Sequence, residues 1–184
     1  NMSGYEHFEV AHHHTSQPEK WKRISAFATM VFALMIAVAS FGIENANHHA
    51  LLLKNEAIDN WSFFQAKSLK ERMYDIEANT LSFTQKNDPL FNEKAYLVKQ
   101  YKNEVDRYKK EQKEIIKKAR YYTEQSESYD MKGNFYELAQ VFFELAIVLN
   151  AIFLMSDRKI FFIGSSGTAS LGAVFIFIGL FYFA

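Results

Sequence analysis

Apolar residues in this chain are concentrated in three long segments, and a highly charged region separates the first segment from the second. A helix rises 1.5 Å per residue and the hydrocarbon core of a bilayer is about 30 Å thick, so about 20 apolar residues suffice to cross it. The pattern predicts an all-α membrane protein with three transmembrane helices and a helical insertion. The predicted parts are a disordered tail at 1–17, a first transmembrane helix at 18–43, an extramembrane hairpin at 44–134, a second transmembrane helix at 135–156, a turn at 157–159 and a third transmembrane helix at 160–184.

The second half of the insertion carries a regular pattern of its own, in which mostly apolar, aromatic or small residues recur at alternating steps of three and four. This is the a/d spacing of a coiled-coil seam. The seam positions are Val98, Tyr101, Val105, Tyr108, Gln112, Ile115, Ala119, Tyr122, Ser126 and Tyr129. A solvated helix with such a seam needs a partner helix, so we expect a second helix to pack against it.

The first half of the insertion is amphipathic but shows no single heptad. Apolar residues form one stripe and then a second stripe that is out of phase by about one residue; the stripes are Leu52, Leu53, Ala57, Trp61 and Phe64, then Leu69, Met73, Ile76 and Phe83. Asn87-Asp88-Pro89 predicts the turn, with Asp88 as a cap and Pro89 as the first helical residue. We therefore expect an antiparallel, coiled-coil-like hairpin that covers both stripes, with arms of roughly 60 Å.

Composition narrows the classes of function. The 21 basic and 21 acidic residues balance, so no basic field points to nucleic acid. The absence of Cys excludes disulfides and thiolate metal sites, and 2 Pro and 7 Gly suit long helices. No nucleophile–base pair, metal cluster or glycine-rich phosphate loop is recognisable, so we expect neither an enzyme nor a bound cofactor. His7 and the run 12–14 leave a metal-binding tail as the alternative to a disordered one.

The second predicted transmembrane helix contains acidic residues. Glu137, Gln140 and Glu144 are spaced three and four apart, so they share one helix face. Glu144 falls near the expected bilayer midplane, where an acidic residue costs roughly 2.5 to 3.5 kcal/mol. Either a structural hydrogen bond, with Ser40 or Tyr182 as donor, or a hydrated path explains such a residue, and both remain open.

The third predicted transmembrane helix contains small residues at a spacing of four. Gly164, Thr168 and Gly172 form one such row, and Ser165, Ala169 and Ala173 form another. Small residues at this spacing let helix backbones approach closely in lipid. We therefore expect the first row to be a packing surface between spans.

The orientation follows from the short basic segments. Lys20, Lys22 and Arg23 precede the first apolar run, and Arg158 and Lys159 lie between the second and third. The positive-inside rule predicts that both segments are cytoplasmic and that the hairpin and C-terminus face outward. The first apolar run is long for a signal peptide and lacks a convincing cleavage site, so we expect an uncleaved span.

A short motif in the insertion resembles a known family. Its residues are Ala57, Asp59, Trp61, Phe63, Phe64, Gln65, Ala66 and Lys67. With the His-rich amino terminus, charged middle and two closing spans, the chain resembles a bacterial membrane-protein family named domain of unknown function 4337. The resemblance implies the architecture and supplies no activity, cofactor or substrate. The motif is either a recognition patch or a packing surface; we favour packing, with Trp61 and Phe64 under the seam helix and Asp59 and Lys67 in water.

These observations predict a non-enzymatic, homo-oligomeric scaffold or assembly protein of a bacterial inner membrane, with hairpins that bundle outside the membrane. One hairpin and three spans leave the seam, the small-residue row and the acidic face partly unmatched, which indicates an oligomer. The alternative is an oligomeric cation channel lined by the second span. The expected partners are further copies of the chain and the lipid bilayer, with another membrane protein complex as a further candidate.

Overall fold

The structure, a computed structural model, is built from three helices. It describes residues 17–84, 86–87 and 89–181. The helices are α1 (Gln17–Ser82), α2 (Phe91–Ser156) and α3 (Lys159–Phe181). The predicted all-helical class is confirmed for the described residues, and all three helices are long and apolar enough to cross a membrane. The histidines of the tail and the Asp88 cap lie outside the described residues.

The connection between α1 and α2 spans residues 83–90. The last turn of α1 tightens, with the Phe83 N–H donating to the Thr80 carbonyl at 3.4 Å. The Lys94 N–H donates to the Leu90 carbonyl at 3.0 Å, so the first helical bond of α2 begins after the turn. The turn lies where it was predicted, but Pro89 precedes α2 instead of starting it. The prediction of Pro89 as the first helical residue is therefore wrong.

Both long helices continue through the predicted boundaries between span and hairpin. α2 passes Gly133 without interruption, and Gly133 is buried. It follows Tyr129 by four residues and precedes Tyr136 by three, so it keeps the seam register. A Cβ atom at Gly133 would lie 3.1 Å from Oδ1 of Asn47, which indicates a close helix contact. The glycine therefore acts as a packing residue within a continuous helix.

The turn between α2 and α3 is two residues long. Asp157 has a φ of 56°, and its N–H donates to the Phe153 carbonyl at 2.9 Å, which closes the C-terminus of α2. Asp tolerates this left-handed conformation better than most residues. Lys159, predicted to lie in the turn, is the first residue of α3.

The described residues form two compact units. The apolar unit contains residues 17–41 and Tyr136–Leu180, and the hairpin unit contains Gly42–Phe135. In the hairpin unit all ten seam positions of α2 are at least half-buried. Five of them are buried: Val105, Tyr108, Ile115, Ala119 and Ser126. The other five are half-buried: Val98, Tyr101, Gln112, Tyr122 and Tyr129.

The hairpin part of α1 has one continuous heptad, where the sequence indicated none. Its buried or half-buried positions alternate in steps of three and four: Ala46, Ala50, Leu53, Ala57, Asn60, Phe64, Lys67, Glu71, Tyr74, Ala78 and Leu81. The second stripe points away from the seam, since Leu69, Met73 and Ile76 are each more than half exposed. The expectation that the hairpin covers both stripes is wrong.

In the apolar unit α3 packs on α2 through small residues. The buried positions of α3 are Ser165, Ala169, Gly172, Ile176 and Gly179. The Ser165 hydroxyl donates to the Ala146 carbonyl at 2.8 Å, a contact that requires close backbones. Of the predicted row, Gly172 is buried, while Gly164 and Thr168 are half-buried. The packing surface is therefore centred one residue away from that row.

Gly172 provides a test of this packing. A Cβ atom there would lie 2.9 Å from Cε2 of Phe143 and 3.1 Å from the Ala139 carbonyl oxygen. Gly172→Ala should therefore destabilise the protein by about 1 to 3 kcal/mol through overpacking. The measurement is the midpoint of denaturant-induced unfolding in detergent.

Gly167→Ala is the matched control, because a Cβ atom at Gly167 meets nothing within 4 Å. It should be neutral or stabilising by up to about 1 kcal/mol, since Ala is the better helix former. Equal effects of the two substitutions would contradict the described packing of α3 on α2.

Candidate functional site

A polar strip crosses the surface of the apolar unit. The Gln140 amide donates to Oε1 of Glu144 at 2.9 Å, and the Ser40 hydroxyl of α1 donates to Oε1 of Gln140 at 3.4 Å. Glu137 lies one turn before Gln140 on the same face. We call Ser40, Glu137, Gln140 and Glu144 the polar strip. The polar strip thus contains the three α2 residues that the sequence predicted on one face, together with the Ser40 hydroxyl of α1.

The acidic groups of the polar strip are not buried. Glu137 and Glu144 are exposed and Gln140 is half-buried. Among the described residues neither carboxylate has an ion-pair partner. Of the donors predicted for Glu144, Ser40 bonds Gln140 instead, and Tyr182 lies outside the described residues. The bond from Gln140 satisfies only one of the acceptor sites of the Glu144 carboxylate.

A second polar cluster lies between α1 and α2, and sequence reasoning did not identify it. Asn150 and Ser25 have no exposed surface. The Asn150 amide donates to the Ser25 carbonyl and to Oγ1 of Thr29, both at 2.7 Å, and accepts from the Ser25 hydroxyl at 2.7 Å. Within the apolar unit this cluster links the two helices by directional bonds. Its sequence signal is the i,i+4 pair Ser25/Thr29 in the first apolar run.

One end of the apolar unit carries basic groups. Nζ of Lys22 lies 2.9 Å from Oδ1 of Asp157. Nζ of Lys159 lies 5.4 Å from the ring centroid of Trp21, which packs edge-on against Phe162 at 5.6 Å. The basic segment before the first apolar run and the turn after α2 therefore lie at the same end of this unit.

The residues of the family-like motif divide between two faces of α1. Ala57 is buried, and Trp61, Phe64 and Lys67 are half-buried on the seam side. The rings of Trp61 and Phe64 meet edge-on at 5.9 Å. The exposed members of the motif are Asp59, Phe63, Gln65 and Ala66. The motif therefore contributes both packing residues and surface residues.

Lys67 does not point to water as predicted. Its Nζ lies 2.6 Å from Oε2 of Glu111 and 5.1 Å from the ring centroid of Tyr108, and its side chain is 20% exposed. The hydrogen bond from Lys67 lowers the pKa of Glu111 below its ordinary value. The long aliphatic stem of lysine explains this position, because it packs against the seam while the ammonium reaches a partner at the edge.

A groove on the hairpin unit is lined by three tyrosines. The Tyr74 ring stacks on Tyr108 at 5.8 Å and packs against Tyr101 at 5.5 Å. Lys70, Met73 and Glu77 complete the wall of this open groove. The described part of the chain has no group of three or more His, Asp or Glu residues placed to hold a metal ion.

Comparison with known proteins identifies the family. A family model described as a domain of unknown function, DUF4337, matches residues 21–182. The chain belongs to the DUF4337 family. The resemblance inferred from the motif is thereby confirmed and extends over all three helices. No curated protein and no solved structure matches the chain. An activity for this DUF4337 protein must therefore be argued from its own residues.

The buried polar cluster can be tested by a double-mutant cycle of Ser25→Ala and Asn150→Ala. Because the two side chains bond each other directly, their effects on the free energy of unfolding in detergent should be non-additive by about 0.6 to 1.7 kcal/mol. The control pairs Asn150→Ala with Ser170→Ala, since Ser170 is exposed and bonds the Ser166 carbonyl of its own helix. Additivity in the Ser25 cycle would show that the cluster contributes no specific coupling.

Proposed function

We propose that this protein is a non-enzymatic scaffold of a bacterial inner membrane, which assembles as a homo-oligomer with its hairpins bundled outside the membrane. The bacterial setting rests on the resemblance stated above. The observation that carries the proposal is the exposure of Glu144 on a segment apolar enough to span a bilayer.

The polar strip is costly to expose to lipid. An acidic side chain near the middle of a bilayer costs roughly 2.5 to 3.5 kcal/mol, and intramembrane acids nearly always face protein or water. Within one chain Glu144 receives a bond from Gln140 alone among the described residues. Contact with the polar strip of another copy would supply further donors and remove the carboxyl group from lipid. A different membrane protein complex is the second candidate for this contact.

The basic end of the apolar unit supports the proposed orientation. Lys22, next to Asp157, and Lys159, over Trp21, lie at one end, and Trp is typical of membrane interfaces. If that end is cytoplasmic, the hairpin and the C-terminus are extracytoplasmic. The numerous charges of the hairpin count little in this argument, because long translocated domains largely escape the positive-inside rule.

An oligomeric cation channel is the second candidate function. Glu137, Gln140 and Glu144 lie on one face of α2, and both carboxylates are exposed. In a symmetric assembly such a face could form rings of carboxylates, which favour cations. The hydrogen bond between Gln140 and Glu144 favours the scaffold, because it holds the carboxylate in a fixed structural contact.

Glu144→Gln distinguishes the two functions. It keeps the shape of the side chain and its hydrogen-bonding capacity but removes the ionisable group. For a scaffold we expect an unchanged oligomer mass in detergent and no current from wild type or variant in reconstituted bilayers. For a channel, wild type conducts cations and the variant loses conductance or selectivity. Glu124→Gln, on the exposed surface of the hairpin unit, is the control and should change neither property. A wild-type mass of one copy would contradict both functions.

The orientation is tested by labelling. The chain has no Cys, so a single cysteine replacing Asn87 in the α1–α2 connection is the only thiol. We expect it to react with a membrane-impermeant maleimide in intact spheroplasts. A cysteine replacing Arg158 should react only after lysis. The reverse pattern would place the hairpin in the cytoplasm.

A further inference from the structure

The exposed face of α1 in the hairpin unit has a seam pattern of its own. Starting at Asp59, alternating steps of three and four reach Ser62, Ala66, Leu69, Met73, Ile76, Thr80 and Phe83. These positions lie opposite the face of α1 that packs in the hairpin. We call the stretch from Ala66 to Phe83 the outer stripe. Among its large residues, Leu69 is 62%, Met73 58%, Ile76 64% and Phe83 85% exposed.

The composition around the outer stripe makes this exposure unusual. The hairpin unit is rich in charge, and the exposed side of α2 presents mainly Lys, Arg, Asp and Glu. A connected row of large apolar side chains on such a surface is typical of an interaction site. The heptad spacing specifies the shape of the partner, since alternating steps of three and four fit another helix lying nearly parallel to α1.

The charges that flank the outer stripe favour a second copy as that helix. With Ala66, Met73 and Thr80 as a positions, Arg72 occupies a g position and Glu77 the following e position. In a parallel pair of helices, a g residue meets the e residue five positions later on the partner. Arg72 of each copy would therefore meet Glu77 of the other. Among the described residues neither side chain has an ion-pair partner within its own chain.

Two exposed apolar residues repeat this relation two heptads earlier in α1. Ile58 occupies a g position and Phe63 the following e position, and they are 55% and 53% exposed. Across a parallel pair they would flank the polar Asp59 and Ser62 positions. The outer stripe is thus complementary to itself in both apolar shape and charge, as a two-fold interface requires.

We propose that the outer stripe is the seam of a parallel, two-fold pairing of α1 between two copies of the chain. The proposal deepens the proposed function and rests on it, because it requires a homo-oligomer. Copies inserted in one membrane share the direction of α1, so a parallel pairing is the arrangement available to them. The outer side of α2 is mainly charged and is therefore a poorer partner for the apolar outer stripe than α1 of a second copy.

Site-directed cross-linking in the full-length protein tests this pairing, with single cysteines replacing Leu69, Met73 or Ile76 in native membranes. A parallel two-fold seam brings the same residue of both copies together, so all three variants should form disulfide-linked dimers. A cysteine replacing Asp75 is the control; Asp75 is exposed but lies on the hairpin side of α1, and it should not cross-link. All four side chains are exposed and none occupies a seam position of the hairpin, so the substitutions should leave the buried seam intact.

Charge reversal tests the register. Arg72→Glu and Glu77→Arg should each reduce the cross-linking yield at Met73 by about two- to fivefold, because like charges would then meet across the pair. The double variant should restore the yield, since the opposite charges are again paired. A double variant that remains as weak as the single variants would overturn the assigned register.

The mass of the detergent-extracted complex distinguishes failure of the proposed seam from failure of the homo-oligomeric scaffold. An oligomeric mass without cross-links at the outer stripe would overturn the proposed seam and leave the homo-oligomeric scaffold standing. Cross-links at one of the three positions alone would indicate an antiparallel crossing and would also overturn it. A mass of one copy would contradict the proposed function itself and the seam with it.

Discussion

Helix packing at alternating steps of three and four residues is the constraint on which the rest of this structure depends. In the hairpin unit it selects Tyr74 and Ala78 of α1 and Val105 and Tyr108 of α2 as the residues between the helices. In the apolar unit a step of four places Ser25 and Thr29 of α1 on the face that contacts Asn150 of α2. The unbroken register requires an uninterrupted helix, which explains why Gly133 lies inside α2 and why prolines are confined to the start of α1 and to the α1–α2 connection.

The chemistry at these positions differs between the two units. For a charged hairpin in water, burying tyrosine rings is favourable, and Lys67 and Glu111 can pair at the edge of the seam. An apolar helix in lipid gains little from burying further apolar surface. Its specificity comes from close backbone approach, as at Gly172, and from buried hydrogen bonds such as that between Asn150 and Ser25. The DUF4337 chain thus uses one geometry with two kinds of stabilising interaction.

The three helices and the buried positions of α2 could be predicted from the sequence, because the seam positions of α2 are mostly apolar, aromatic or small. The packing register of α1 could not be predicted, because Ala57, Lys67 and Glu71 occupy its inner face while Leu69 and Met73 lie outside. An apolar pattern reports burial against any partner and does not tell an intrachain contact from an intermolecular one. The bond between Gln140 and Glu144 agrees with their spacing, whereas the Asn150 cluster depends on a contact between residues 125 positions apart.

The polar strip and the outer stripe each expose side chains that are unfavourable on the surface of a single chain. One presents carboxylates on a segment suited to lipid, and the other presents large apolar side chains on a helix suited to water. Each exposure is unfavourable for an isolated copy, and contact with a matching surface would relieve it. The two lie in different units, and each requires a matching surface of its own. The proposed self-association, through α1 in the hairpin unit and through α2 in the apolar unit, would satisfy the two requirements with one kind of molecule.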